Sequence, residues 1–205
     1  MTPNNAVIIG LTGNSGSGKS TVAKIMAEYG AYVLDADALS HEAMSPSGSA
    51  YDEIVREFGF QVLNSDKTVN RSALGDLVFR NATLKKKLES IIHARVIEKT
   101  VSETLKAKSL PNPPEFVIWD APLLVEASMH IKCDAVWLVV SGEEDKLKRI
   151  TARDGIDAGK ARLRLQNQTD EETLRRHADE VIINDGDMGK LRENVDALVR
   201  KLRRR

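Results

Sequence analysis

One stretch, Gly13-Asn14-Ser15-Gly16-Ser17-Gly18-Lys19-Ser20, matches the pattern G-x-x-x-x-G-K-[ST] at every fixed position. Before it stands an apolar run, Ala6–Leu11, which is typical of a buried parallel strand. After it, the segment Ser20–Tyr29 repeats its apolar residues at helical spacing, and Gly30 is placed to end the helix. This pattern between a strand and a helix indicates a loop that surrounds phosphate groups with backbone N–H groups. The sequence therefore predicts a nucleoside triphosphate site, and a plain Gly/Ser-rich turn is the weaker alternative.

The residue types in this loop have physical reasons. Glycines let the backbone curl and leave room for phosphates, and the helix that follows adds the positive end of its dipole. We expect Lys19 to reach the β- and γ-phosphates of the nucleotide, and the hydroxyl of Ser20 to be a ligand for Mg²⁺. The residues expected to bind the nucleotide here are Gly13, Asn14, Ser15, Gly16, Ser17, Gly18, Lys19, Ser20 and Thr21.

Further apolar runs predict the rest of the sheet. The expected strands are Ala31–Leu34, Phe116–Trp119, Ala135–Val140 and Val181–Ile183. Together they indicate an α/β fold of the P-loop nucleoside triphosphate hydrolase type, a parallel sheet flanked by helices. A closing helix is expected to reach about Leu202.

The middle of the chain has helical periodicity instead. Residues 39–114 read as a helical insertion between sheet strands, with a long helix at Thr83–Lys108 and a proline-rich end at Pro111–Pro114. On this interpretation the P-loop core comprises residues 1–38 and 115–205. The sequence leaves open whether the helices form a domain or merely cover the sheet.

Three aspartates follow predicted strands, where open α/β sheets bind ligands. Asp35 and Asp37 follow the second strand, and alternation along an extended segment would send both side chains to one face, where either could orient an acceptor hydroxyl. Helix capping by Asp37 is the alternative. Asp120 follows a later strand and is either a metal-side carboxylate or a turn aspartate before Pro122.

A cationic segment lies further along the chain. Residues 146–164 contain seven Lys and Arg residues against two carboxylates, Asp154 and Asp157, which break the helical pattern. This predicts a helical hairpin, a lid at about residues 146–170, whose guanidinium groups suit phosphate oxygens. A solvated cationic face is the alternative. Ser141 with Glu144 and Thr169 with Glu172 match the capping box, so helices are expected to start there.

Composition excludes other classes. The chain has 30 Lys plus Arg and 30 Asp plus Glu, so its formal net charge is zero, which disfavours a nucleic-acid-binding protein. No apolar run approaches the roughly 20 residues that cross a bilayer. The single cysteine, Cys133, and the Met-Thr-Pro-Asn-Asn start without a cationic segment predict a cytoplasmic protein. Composition predicts no oligomeric state.

Several landmarks occur in one order, and together they resemble the dephospho-CoA kinase family from about Val7 to the final helix. They are the phosphate loop, Asp35-Ala36-Asp37, Ile92-His93, Pro122-Leu123-Leu124-Val125-Glu126, Arg149 with Arg153-Asp154, Gln168, and Ala178-Asp179 to Asn184. The resemblance implies transfer of the γ-phosphate of ATP to the ribose 3′-hydroxyl of dephospho-CoA, the last step of coenzyme A synthesis. It also implies a P-loop core, a helical acceptor-binding domain and a lid.

The resemblance further implies roles for individual residues. Asp37 is the expected catalytic carboxylate, supported by Asp35, and Arg149 acts with Lys19 on the phosphates. Asn184 is expected near the adenine of ATP. Substrate-binding residues of the acceptor side are Asp35, Asp37, His93, Pro122 and Leu123. The chain departs from the family's usual residues at Asn14-Ser15 (commonly Gly-Ile), Ala94 (commonly proline) and Lys146 (commonly glutamine).

Other functions fit less well. Asn167-Gln168-Thr169-Asp170 is faintly similar to the guanine-reading motif of GTPases, but it follows no apolar strand, and Asp120 leads into Ala121-Pro122 rather than a switch motif. A nucleotide-gated assembly factor would be expected to show a switch motif or a partner surface. Within the kinases, a nucleoside or a shikimate-like metabolite is the alternative acceptor.

Overall fold

The computed structural model describes residues 6–204. The five N-terminal residues, on which the expectation of no cationic leader rests, and the final arginine of the basic tail lie outside that range. The strands are β1 (Val7–Thr12), β2 (Tyr32–Asp35), β3 (Phe116–Asp120), β4 (Ala135–Val140) and β5 (Glu180–Ile183). The helices are α1 (Lys19–Glu28), α2 (Ala36–Ala43), α3 (Tyr51–Phe58), α4 (Arg71–Phe79), α5 (Ala82–Lys108), α6 (Glu143–Asp154), α7 (Ala158–Gln166), α8 (Glu171–Arg176) and α9 (Met188–Leu202).

The five strands form one sheet in the order β2-β3-β1-β4-β5. β1 runs parallel to both β3 and β4, and β4 runs parallel to β5. Leu11 is paired with Asp120 on one side and Trp137 on the other, so the carboxyl ends of the central strands meet at one edge. The predicted α/β fold with a parallel sheet is confirmed.

The central strands of the sheet are buried on both faces, which explains their continuous apolar runs. Every residue of β3 and β4 is buried. On one face, Val22, Ile25 and Met26 of α1 pack with Val195 and Val199 of α9 against the strands. On the other face, Leu174 of α8 packs with Leu138 and Val140.

The chain divides into two compact units. One contains the described residues up to Leu34 and from Lys106 onward, and the other is Asp35–Leu105. The second unit is helical and has its own core, which includes Ile54, Phe58 and Leu74. In that unit Gly48 follows α2 so closely that a Cβ there would lie 2.2 Å from the carbonyl oxygen of Glu42. The acceptor-binding role of residues 39–114 stays a prediction.

Both predicted capping boxes are wrong in detail, although helices do begin there. α6 starts after Gly142 without a side-chain cap, and the hydroxyl of Ser141 instead accepts a hydrogen bond from Arg149. α8 is capped by Asp170, and the hydroxyl of Thr169 instead donates to Glu126. In both cases a distant polar partner has replaced the local one that the sequence pattern indicates.

Within residues 6–204, no helix combines the length and the apolar character needed to cross a membrane.

Candidate functional site

The phosphate loop connects β1 to α1 and depends on glycine at three positions. Gly13, Gly16 and Gly18 have φ values of 150°, 77° and 95°, a region that side chains rarely adopt. Space is also lacking: a Cβ at Gly13 would lie 2.4 Å from the carbonyl oxygen of Val139, and one at Gly16 2.6 Å from that of Lys146. The loop is therefore a tightly held backbone cradle at the carboxyl edge of the sheet.

Lys19, the first residue of α1, points from this cradle to Asp120 at the end of β3, and the two form an ion pair. Both side chains are largely buried, with exposed fractions of 12% and 8%. Because Asp120 pairs in register with Leu11 of β1, the sheet itself sets where the lysine is held. Of the two roles left open for Asp120, this contact favours a site residue over an ordinary turn residue.

Arg149, on α6, ties the cradle to two other segments. One guanidinium nitrogen, Nη1, donates to the carbonyl oxygens of Gly16 at 3.0 Å and Ser17 at 3.4 Å, and to the Ser141 hydroxyl at 3.1 Å. The other, Nη2, donates to the carbonyl oxygen of Asn184 at 3.2 Å. The planar fork of an arginine suits such a divided set of acceptors.

Asn184, which follows β5, closes the cradle from the other side. Its side chain is buried, and Nδ2 donates to the carbonyl oxygen of Ser17 at 2.8 Å. A Cβ at Gly18 would lie 2.0 Å from that nitrogen, so the glycine is required for this contact. The structure thus brings the predicted residues Lys19, Arg149 and Asn184 to the same loop.

The predicted hairpin is formed by α6 and α7, joined at Gly155, whose φ is 63°. The carboxylate of Asp154 accepts hydrogen bonds from Arg153 and Arg164, and these bonds, that from Arg153 above all, lower its pKa to about 2. Arg162 pairs with Glu143, and Lys146 with Glu171. The charge count of the sequence therefore overstates the free positive charge, because much of it is balanced by carboxylates within or beside the hairpin.

The loop also has contacts that the sequence did not reveal. The backbone N–H of Ser15 donates to the side-chain oxygen of Gln168 at 2.9 Å, and Asn14 Nδ2 donates to the carbonyl oxygen of Thr169 at 3.2 Å. Gln168 was a landmark of the resemblance only, and no spacing pattern joins residues so far apart in the chain.

Pro122 and Leu123, predicted to bind the acceptor, follow β3. The carbonyl oxygen of Pro122 accepts a hydrogen bond from the Thr12 hydroxyl at 3.3 Å, which holds this turn against the end of β1. Leu123 is 49% exposed, so its side chain is accessible to a ligand.

Asp35, Asp37 and His93 belong to the second unit. Asp35 is the N-cap of α2, and its carboxylate accepts from the backbone N–H groups of Asp37 at 2.9 Å and Ala38 at 3.0 Å. The expectation that both carboxylates follow strand alternation is wrong, because α2 starts at Ala36 and Asp37 lies in its first turn. Capping therefore belongs to Asp35 and not to Asp37. His93 is half-buried within α5.

A nucleotide with its magnesium ion fits the cradle. The hydroxyl of Ser17 is buried and has no hydrogen-bond partner among residues 6–204, and Ser20 offers an exposed hydroxyl in the first turn of α1. No group of three or more His, Cys, Asp or Glu side chains in that range could hold a metal. Mg²⁺ at phosphate-transfer sites uses one or two protein oxygens together with the substrate's phosphates, so Ser20 is a suitable donor.

Comparison with known proteins gives one consistent result. A family model described as dephospho-CoA kinase matches residues 7–190. A dephospho-CoA kinase from Moorella thermoacetica is 41% identical over 197 residues, 96% of this chain and 92% of that protein.

Solved structures agree. TT1252 from Thermus thermophilus superposes with a TM-score of 0.81 at 32% identity, covering 96% of this chain and 97% of the other. A dephospho-CoA kinase from Campylobacter jejuni has a TM-score of 0.68 at 26% identity, with coverage of 95% and 96%.

Proposed function

The chain belongs to the dephospho-CoA kinase family, and from this premise we propose how its residues transfer the γ-phosphate of ATP to the ribose 3′-hydroxyl of dephospho-CoA. The protein is an ATP-dependent kinase, and its reaction yields CoA and ADP in the final step of coenzyme A biosynthesis. The observation that carries the residue assignments is the glycine cradle with Lys19 and Arg149 held at its two ends.

The cradle binds the phosphates of ATP. Its backbone N–H groups and the N-terminus of α1 offer hydrogen bonds and positive potential to the β- and γ-phosphates without a large reorganisation. Lys19 adds an ammonium group at the same place, and its ion pair with Asp120 holds that group at the cradle. Gly13 to Thr21 therefore constitute the phosphate-binding part of the nucleotide site.

Arg149 acts at the second end. Because its guanidinium group bonds to the carbonyl oxygens of Gly16 and Ser17, its charge stays beside the phosphates while charge moves onto ADP in the transition state. Asn184 holds the loop through its hydrogen bond to Ser17, and its assignment to the adenine side of the nucleotide rests on the family resemblance.

Asp37 orients the acceptor. Its carboxylate accepts a hydrogen bond from the ribose 3′-hydroxyl and takes the proton as the oxygen forms its bond to the γ-phosphorus and the bond to ADP breaks. Asp35 supports it by capping α2, since the cap fixes the backbone from which Asp37 projects. His93, Pro122 and Leu123 are assigned to acceptor binding on the basis of the family resemblance.

When bound, a magnesium ion would neutralise charge on the β- and γ-phosphates, and Ser20 is the residue that would hold it. Residues 39–114 serve as the acceptor-binding insertion and residues 146–170 as the lid. We place the enzyme in the cytoplasm as a protein that acts on a small molecule and not on nucleic acid, in keeping with its zero formal net charge.

An acceptor screen tests this assignment. Purified protein with Mg-ATP is given dephospho-CoA, shikimate or a nucleoside, and ADP release is followed, with mass spectrometry of the product. We expect release to depend on dephospho-CoA and to yield a 3′-phosphorylated product. Acceleration by another acceptor, with no response to dephospho-CoA, would overturn the acceptor assignment and leave the nucleotide site standing.

A further inference from the structure

The phosphate loop of this chain carries two polar side chains, Asn14 and Ser15, and both are bonded to residues outside the loop. Asn14 Nδ2 donates to the carbonyl oxygen of Thr169 at 3.2 Å. Ser15 donates its backbone N–H to Gln168 Oε1 at 2.9 Å and accepts from Arg153 Nη2 with its hydroxyl at 3.3 Å. The commoner Gly-Ile pair has neither of these side chains, so two of the three contacts depend on side chains that this pair lacks.

The partner residues are themselves held in place. Gln168 and Thr169, called here the anchor segment, lie between the end of α7 at Gln166 and the cap of α8 at Asp170. The hydroxyl of Thr169 donates to Glu126, which follows β3. The anchor segment is thus bonded to the segment that follows β3 on one side and to the phosphate loop on the other.

We propose that Asn14 and Ser15 are positioning residues, and that the anchor segment, mainly through Gln168, holds the first half of the phosphate loop in its anion-binding shape before ATP arrives. The proposal rests on the proposed function only in that the loop binds a nucleotide.

Chain entropy supplies the physical reason. Asn14 and Ser15 lie between Gly13 and Gly16, and glycine loses more conformational freedom on ordering than any other residue. Without the anchor, nucleotide binding would have to order this stretch and would be weakened by that cost. With the anchor, this stretch is already ordered in the folded protein, so nucleotide binding does not bear the entropy cost and the affinity for nucleotide is higher.

The origin and the charge of these contacts indicate that they hold the loop and do not compete with phosphate for it. The partners of Asn14 and Ser15 all come from the α6–α8 part of the chain. The phosphate-binding group Lys19 has its partner elsewhere, at Asp120 on β3, so the two sets of contacts are separate. Gln168 presents an uncharged amide oxygen, so it satisfies the N–H of Ser15 without placing a negative charge against a phosphate site.

The test compares Gln168→Met with Gln166→Met. Methionine keeps the length of glutamine but removes the oxygen that accepts from Ser15, and Gln166 is a matched control at the exposed end of α7. The dissociation constants of ADP and of a non-hydrolysable ATP analogue are measured by calorimetry, and kcat and KM are measured in the kinase assay.

We expect Gln168→Met to raise both dissociation constants and the KM for ATP about three- to tenfold, the loss typical of one hydrogen bond. kcat at saturating ATP and the KM for dephospho-CoA should stay within about twofold, and Gln166→Met should change none of these values. Asn14→Ala, a second variant should the first fail to fold, should weaken nucleotide binding in the same sense.

Three results would overturn the proposal: nucleotide affinity no different from that of Gln166→Met, tighter binding in Gln168→Met, or a fall in kcat with unchanged affinity. Because ADP binding needs no acceptor, these measurements test the proposal even if dephospho-CoA is not the acceptor.

Discussion

The phosphate loop and the start of α2 carry the two kinds of group that we propose for phosphoryl transfer, and the two regions hold these groups differently. At the loop, Lys19 and Arg149 are largely withdrawn from solvent and bonded to Asp120 and to backbone carbonyl oxygens. At the start of α2, Asp37 is exposed, and within residues 6–204 no hydrogen bond or ion pair involves its carboxylate.

The difference agrees with the role that we propose for each group. Groups that stabilise phosphate charge are most effective when they are fixed beforehand, because nothing then has to reorganise during the reaction. A carboxylate that is proposed to receive a proton is a stronger base when it is not paired with a cation, since pairing lowers its pKa. Asp154 illustrates this, because its bond from Arg153 lowers the pKa of that carboxyl to about 2.

The largest expected effect comes from Asp37→Asn. The amide cannot take the proton from the ribose hydroxyl, so kcat should fall about 10²- to 10⁴-fold. Because the Asp37 carboxylate bonds to no described residue, the melting temperature and the affinity for ADP should be unchanged. Steady-state kinetics, calorimetry and thermal unfolding measure the three quantities.

Asp35→Ala is the comparison for that variant. It removes the cap of α2 and should lower the free energy of unfolding by about 1 kcal/mol, which Asp37→Asn should not do. If Asp37→Asn instead weakened ADP binding as much as it lowered kcat, Asp37 would be a nucleotide or metal residue and the contrast between the regions would fail.

Arg149→Lys tests the phosphate loop, the region whose charged groups are held in place. Lysine keeps the charge but cannot reach acceptors on three segments at once, so kcat/KM for ATP should fall roughly 10- to 100-fold. The melting temperature should also fall, by about 2–4 °C for each kcal/mol lost. Stability that is unaffected alongside the kinetic loss would show that Arg149 does not hold the loop together.

The smallest effect is expected for Asp154→Asn, and it depends on pH. The pKa of Asp154 is lower in the folded protein than in the unfolded chain, so its contribution to stability is present above the unfolded pKa, about 4, and is lost as the pH falls towards 2. The variant should melt slightly below the wild type at pH 7, and the difference should shrink between pH 5 and pH 2.

Asp157→Asn is the comparison variant, because asparagine still caps α7. The pKa of Asp157 is also lowered, by the backbone N–H of Lys160 above all, but no arginine bonds to its carboxylate within residues 6–204, so the pH dependence of this variant should be smaller. A difference in melting temperature that stayed constant down to pH 2 would contradict the assignment of the effect to the Asp154 carboxylate.

Much of the fold could be predicted because its signals are local and strong. The apolar runs Phe116–Trp119 and Ala135–Val140 form β3 and β4, since strands buried on both faces need apolar residues throughout. The long helix at Thr83–Lys108 is α5 within one residue at its start. The phosphate loop could also be predicted, because its glycines are sterically required and their spacing is visible in the sequence.

The errors arose where a local pattern competed with a distant partner. Ser141 and Thr169 fit capping boxes, but Arg149 and Glu126 provide their hydrogen bonds instead. Asp35 and Asp37 fit strand alternation, but the cap provided by Asp35 starts a helix between them. Neither outcome is encoded in a short window of residues.

The parallel sheet, the phosphate loop and the family can be inferred from residue order alone, because they depend on the intrinsic conformational limits of glycine and on apolar runs. The side chains that hold the loop can be identified only from the folded structure. Lys19 to Asp120, Arg149 to Gly16 and Ser15 to Gln168 join residues more than 100 positions apart, and such pairs exist only once the sheet order brings their elements together.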